Sequence, residues 1–303
     1  MKKSLFLTGV LCGAALLLAP DTARAEGSRL YVPWVFAVAE TGEVTRRDGV
    51  LVGVSWKSDL TLFNGTAEPA TWHWVATYSD GKVLGPYGDP YCMPETEHTV
   101  PPGQGGYVGA CISIPPRNGL AMLVLETSRT LIARPTVSLV HLPPFGYCGP
   151  GALEVPQGRV PLPVFENLFP AGSTVAFGEI DLGNPSIGYC ASGNQRYPRR
   201  VNVTLFNGGD APASFRIRVK AGVNRPEDFY EQTVSVGPKE IIQVNRLPLD
   251  LDEVASRTEG ESVAPAWVLL TADQPYIAYV SSVFDDPEPG AMPMEVYPPR
   301  LIE

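Results

Sequence analysis

The chain has 303 residues, a formal charge of −9 and a 44% hydrophobic fraction, with 30 glycines and 31 prolines. Proline and glycine, about a fifth of all positions, break long helices and suit short strands joined by turns, while the ordinary hydrophobic content excludes a disordered chain. The acidic balance disfavours nucleic acid or anionic lipid as the main partner.

In chain order, the first element is a leader. Met1-Lys2-Lys3 precedes an apolar stretch from Leu5 to Ala19 and then Ala23-Arg24-Ala25, the pattern of a Sec-type signal peptide over residues 1–25 with cleavage after Ala25. Gly9-Val10-Leu11 before Cys12 does not read as a lipoprotein signal, so an unlipidated mature chain is expected. Cleavage removes three cations and one acid, moving the charge from −9 to −11. No later apolar run reaches the roughly 18 to 20 residues needed to cross a bilayer as a helix. The expected destination is the periplasm, the cell surface or the exterior. The remaining residues exceed what one core usually organises, so two domains are expected.

Ser58-Asp-Leu-Thr-Leu-Phe-Asn-Gly65 reads as a strand entering the Ala/Pro turn 66–70, and 71–78 as the next strand, together a β-hairpin. Trp72, Trp74, Ala76 and Tyr78 alternate along that second strand and are expected on one inward face. An aromatic stripe could instead be a platform for sugar rings. Cys92 falls in an insertion at 84–97, and Cys111 follows the strand after Pro102-Gly103.

Periodicity is lost from Leu142 through a run of prolines and glycines, so residues 142–161 are read as a linker between a domain at 26–141 and another at 162–303. In the second stretch Val201-Asn-Val-Thr-Leu-Phe-Asn-Gly208 repeats the earlier Leu-Phe-Asn-Gly at a spacing of 143, again followed by an Ala/Pro turn and a strand. There Phe215, Ile217 and Val219 replace the aromatic positions, and Arg216, Arg218 and Lys220 occupy the alternate ones, so the aromatic face is the inner one and the cations face solvent. Arg200 is expected to join them from a neighbouring strand, giving an anion or partner face. Further matches pair 102–108 with 238–244 and 124–137 with 269–282. Similar strands in the same order, twice, indicate one fold used twice. A short helix is expected over 248–256, where Asp250, Asp252 and Glu253 suit a helix start.

The arrangement Leu30-Tyr-Val-Pro-Trp-Val, Trp56-Lys-Ser-Asp-Leu-Thr-Leu-Phe-Asn64 and Pro101-Pro-Gly103 resembles the repeated β-sandwich, immunoglobulin-like modules of bacterial exported and cell-surface proteins. The resemblance covers most of 30–140 and more loosely 160–300; in the second copy Arg199-Arg200-Val201 stands where tryptophan and Ser-Asp are expected. It implies an all-β fold of two tandem antiparallel sandwiches and an extracytoplasmic location, not a reaction.

Four cysteines remain after processing, Cys92, Cys111, Cys148 and Cys190, an even number that in an exported chain reads as two disulfides. Pairing Cys92 with Cys111 and Cys148 with Cys190 keeps each bond within one folding unit. No C-x-x-C pair occurs and His73, His98 and His141 lack ligand spacing, so no metal site and no cofactor is expected. Neither G-x-S-x-G nor S-x-x-K is present. The acids around 250–253 and 285–288 follow no calcium-loop spacing. These signals are those of a non-catalytic structural or surface-interaction protein of the envelope or extracellular matrix, meeting other such proteins or itself. The alternative is a module binding glycans or small ligands.

Overall fold

A computed structural model describes residues 27–35, 38–39, 45–47, 50–79, 82–84, 97–108, 119–142, 155–180, 198–221, 228–245, 247, 266–284 and 294–302. The signal-peptide expectation, the four cysteines and the helix at 248–256 lie outside these residues. Among the described residues the regular structure is all strand, and every strand pairing is antiparallel. No helix is long and apolar enough to cross a membrane among them.

The first half contributes β1 (Arg29–Val35), β2 (Val38–Ala39), β3 (Thr45–Arg47), β4 (Val50–Phe63), β5 (Ala70–Ser79), β6 (Lys82–Leu84), β7 (His98–Val100), β8 (Gly105–Val108), β9 (Leu120–Thr127), β10 (Ile132–Leu142) and β11 (Val155–Pro161). Sheet I runs β1-β9-β5-β6 with β7 also on β5, and sheet II runs β11-β10-β4-β2 with β3 and β8 on β4. The second half contributes β12 (Thr174–Ile180), β13 (Pro198–Asn207), β14 (Ala213–Ala221), β15 (Asp228–Val236), β16 (Ile241–Val244), β17 (Ala266–Ala272), β18 (Tyr276–Phe284), β19 (Met294–Tyr297) and β20 (Arg300–Ile302). Sheet III runs β15-β14-β17-β12-β20 and sheet IV runs β16-β13-β18-β19. The pairing order β1-β9-β5-β7 in sheet I matches β12-β17-β14-β15 in sheet III, and β11-β10-β4-β8 matches β19-β18-β13-β16.

The Leu-Phe-Asn-Gly segments end β4 and β13, but neither begins a hairpin. β4 lies in sheet II and β5 in sheet I; β13 lies in sheet IV and β14 in sheet III. The ladder positions of β4 are taken by β10 and β8, and those of β13 by β18 and β16, so the chain must arch to the facing sheet. The asparagine fixes the arch. Asn64, fully buried, donates from Nδ2 to Glu68 O and Val100 O (2.8 Å each) and accepts from Thr66 N at 2.9 Å. Asn207, equally buried, donates to Ala211 O (2.8 Å), Val236 O (3.1 Å) and Gly237 O (2.9 Å) and accepts from Gly209 N at 2.8 Å. In each half one amide therefore ties the turn to the end of a strand in the opposite sheet. Buried carbonyls are nearly always hydrogen-bonded, and these amides supply such bonds at the arch.

One apolar cluster fills sheets I and II, with Leu30, Val32, Trp34, Leu60, Leu62, Trp72, Leu123 and Leu125. Another fills sheets III and IV, with Val175, Phe177, Val203, Leu205, Phe215, Ile217, Val268 and Tyr276. A third joins the halves: Leu120 and Met122 of β9 meet Phe206, Ile277, Tyr279 and Val283, and the Tyr78 and Phe206 rings lie 5.7 Å apart. Val203 and Leu205 face the core of their own half, whereas Thr204 and Phe206 are buried on the opposite side, so sheet IV is covered on both faces. Lys239, held at φ 55, reaches Gly208 O, lies 3.1 Å from Asp210 and places its ammonium 5.9 Å from the centre of the Tyr78 ring across the same boundary.

Part of the stretch read as a linker is sheet. β11 pairs with β10 over 155–161, and Phe165 bridges back to Tyr31. Phe169 then bridges to Tyr276, so the chain crosses between halves within the few residues separating Phe165 from Phe169. Those two rings touch edge to face at 6.0 Å.

Candidate functional site

β5 carries the aromatic stripe, and a bulge divides it. Trp72 pairs with Thr127 and Trp74 with Leu125, but the register shifts at Val75, after which Ala76 pairs with Val124 and Tyr78 with Met122. An extra residue in a strand reverses the side to which the following residues point. Trp72 is 4% exposed and Trp74 half-buried, both against the first core, while Tyr78 points the other way into the contact between halves. The single inward face expected for all four side chains is therefore two faces. His98 stacks on Trp72 at 4.5 Å, and His73 lies 3.5 Å from Glu126 on the exposed side.

The cations of β14 occupy the outer face of sheet III. Phe215, Ile217 and Val219 are fully buried, which turns Arg216, Arg218 and Lys220 outward. Arg216 grips Glu231 of β15 with two bonds of 2.7 Å, from Nε to Oε1 and from Nη2 to Oε2. These bonds hold the Glu231 carboxyl below its ordinary range, with a smaller electrostatic contribution from Arg218. Arg200 does not share this face, because β13 belongs to sheet IV. Arg300 of β20 does: it pairs with Ala176, which pairs with Leu269, the partner of Arg218.

Trp267 completes the face. It pairs with Lys220, and 37% of it remains exposed. Opposite it β12 bulges between Phe177 and Ile180, with Glu179 in the left-handed region at φ 62. A Cβ on Gly178 would lie 2.4, 2.5 and 2.8 Å from three consecutive atoms of the indole's six-membered ring. Near-equal approach to adjacent ring atoms means that the ring covers the glycine with its face, leaving its other face turned away from the sheet. Only glycine leaves room for this seat. A strained non-glycine residue beside it is the kind of backbone feature that clusters at binding surfaces.

Sequence reasoning did not single out Trp267. In Ala266-Trp-Val-Leu-Leu-Thr-Ala272 both strand faces are largely apolar, so alternation gives no outward signal, and the glycine that seats the ring lies far away in sequence. Among the described residues, no three of His, Cys, Asp and Glu stand close enough to hold a metal ion.

The fold and this face together define an all-β, sandwich-like protein with one cationic, aromatic sheet surface. No protein-family model matches the chain, and no curated protein matches it either. A solved structure described as an anti-sigma factor domain-containing protein aligns over 90% of this chain and 97% of its own, at 12% identity and a TM-score of 0.10. A likeness that slight carries no fold or function.

Proposed function

We propose that the protein is a non-catalytic binding component of the cell envelope or extracellular matrix, exported by the leader at 1–25 and acting through its sheet surfaces. The observation that carries this reading is the built outer face of sheet III, where Trp267 is seated on Gly178 beside Lys220. A sheet stabilised only by its core does not need a large ring on its solvent side, a glycine cut to receive it and a strained bulge alongside. Duplication fits the same role, since a second copy multiplies weak contacts. The alternative of a glycan- or small-ligand-binding module is favoured by the free indole face.

Cross-linking the mature chain in its native cells tests the proposal. Cross-links to a surface or matrix component are expected. Their absence would overturn it, as would turnover of glycans, esters or peptides that one substitution abolishes.

A further inference from the structure

The two halves meet through faces that the duplication has supplied twice. In their contact β9 of sheet I lies against β16 and brings Leu120 and Met122 to sheet IV, where Phe206 is in register with Ile277 on one side and Ile241 on the other, all three buried. The first half carries the same receiving face on the outside of sheet II. Phe63, the counterpart of Phe206 in the repeated Leu-Phe-Asn-Gly, is in register with Ile132 and Gly105 as Phe206 is with Ile277 and Ile241. There Phe63 is 40% and Ile132 48% exposed. The second half carries the inserting face on the outside of sheet III. The match of 124–137 with 269–282, extended back along the strand, sets Trp267 in the place of Met122. Ile302 of β20 is exposed on the same face, in register with Thr174. The exposed large hydrophobics among the described residues are Phe63, Ile132, Trp267, Leu301 and Ile302, and every one lies on these two faces or on β20.

We propose that the chain assembles head to tail with copies of itself, the Trp267 face of one molecule seated on the Phe63 face of the next, so that the contact between halves is repeated between molecules. The proposal rests on the binding role given above and names the partner as a second copy of this chain. In the new contact Trp267 takes the part of Met122, and Gly105 takes the part of Ile241. A larger side chain on one face thus meets a smaller one on the other, a change that conserves volume at the junction. Apolar patches left open on a folded surface mark such contacts. Because the two faces differ, the contact is heterologous, and it propagates from molecule to molecule instead of closing on a two-fold axis.

The experiment is sedimentation velocity of the chain without its leader over a range of concentrations. Mass that keeps growing with concentration past the dimer is the expected result. It should hold or increase as salt rises, because the contact is apolar and salt screens the mutual repulsion of acidic chains. Ile132→Glu and Trp267→Glu should each weaken association about thirtyfold or more, the loss of a central hot spot. Mixed, the two variants should recover a one-to-one dimer that grows no further, since each keeps the face that the other has lost. Ile302→Glu, on the exposed edge strand, takes the place of Trp267→Glu in the mixture if that variant melts early. Thr99→Glu, exposed on β7 and on neither face, should leave association unchanged. A monomer at every concentration, a dimer that does not grow, full association kept by either variant alone, or a mixture that stays monomeric would overturn the proposal. Cross-links in cells to a surface or matrix component other than this chain would then leave the broader binding role standing.

Discussion

Replacing Asn207 with alanine should cost about 3 kcal/mol of unfolding free energy, since each hydrogen bond is worth roughly 1 kcal/mol net. Two N–H groups of this side chain serve three carbonyls, and its oxygen receives the Gly209 amide. The contact with Val236 O is buried, so that carbonyl loses a partner it cannot replace with water; those to Ala211 and Gly237 lie nearer the surface and recover part of the loss. Asn64→Ala should cost somewhat less, about 2 kcal/mol, because its amide holds two carbonyls rather than three. N207D is the sharper variant. It keeps the shape, but above the usual carboxylate range it turns charge toward three carbonyls and loses both donors. Its deficit should exceed that of alanine at neutral pH and shrink in acid, where the protonated group regains a donor. Urea unfolding followed by tryptophan fluorescence measures all three. An Asn207→Ala unfolding free energy within about 0.5 kcal/mol of the parent's would refute the view that this amide closes the arch.

Trp72→Ala should destabilise by about 3 to 5 kcal/mol and Trp74→Ala by clearly less, because only Trp72 is enclosed by the first core. Thermal melts of the two variants check the order, and equal losses would contradict the difference in their burial. Phe206→Ala should cost about 3 to 5 kcal/mol although Phe206 faces away from the core of its own half; a loss under about 1 kcal/mol would mean that the contact between halves is not formed in solution. Tyr276, whose phenol is pushed up to about 12 by burial, makes stability pH-dependent at the alkaline end. The unfolded chain ionises first, so this contribution is complete below pH 10 and is lost as pH rises toward 12; spectrophotometric titration with a midpoint near 10 for Tyr276 would contradict the burial.

The all-β class and the duplication were legible because a repeated Leu-Phe-Asn-Gly is local and needs no knowledge of which strands meet. What the repeat builds was not. Asn, Gly and Pro favour a tight hairpin turn and a cross-sheet arch alike, and only the occupied ladder positions of β4 and β13 decide between them. Period-two reasoning put Arg216, Arg218 and Lys220 outward on the strength of three wholly apolar alternates. It failed on Ala76 and Tyr78 because a bulged residue leaves no mark in composition. Arg200 was misplaced by a non-local assumption, that consecutive strands are neighbours in one sheet. The Trp267 platform depends on Gly178, Glu179 and a register set by pairing, none of which can be read from the strand that carries the ring.

The doubly covered sheet IV has a mechanical consequence. Two modules on a loose tether would swing independently and yield to a pull one at a time. Here Phe206, Ile277 and Tyr279 are shut between the halves, and the chain crosses from one to the other between Phe165 and Phe169 without slack. A load applied to one half must be carried into the other through side chains already in contact, so under force the protein should give way in a single event at one extension. It would serve its surroundings as a short strut rather than as two links of a chain.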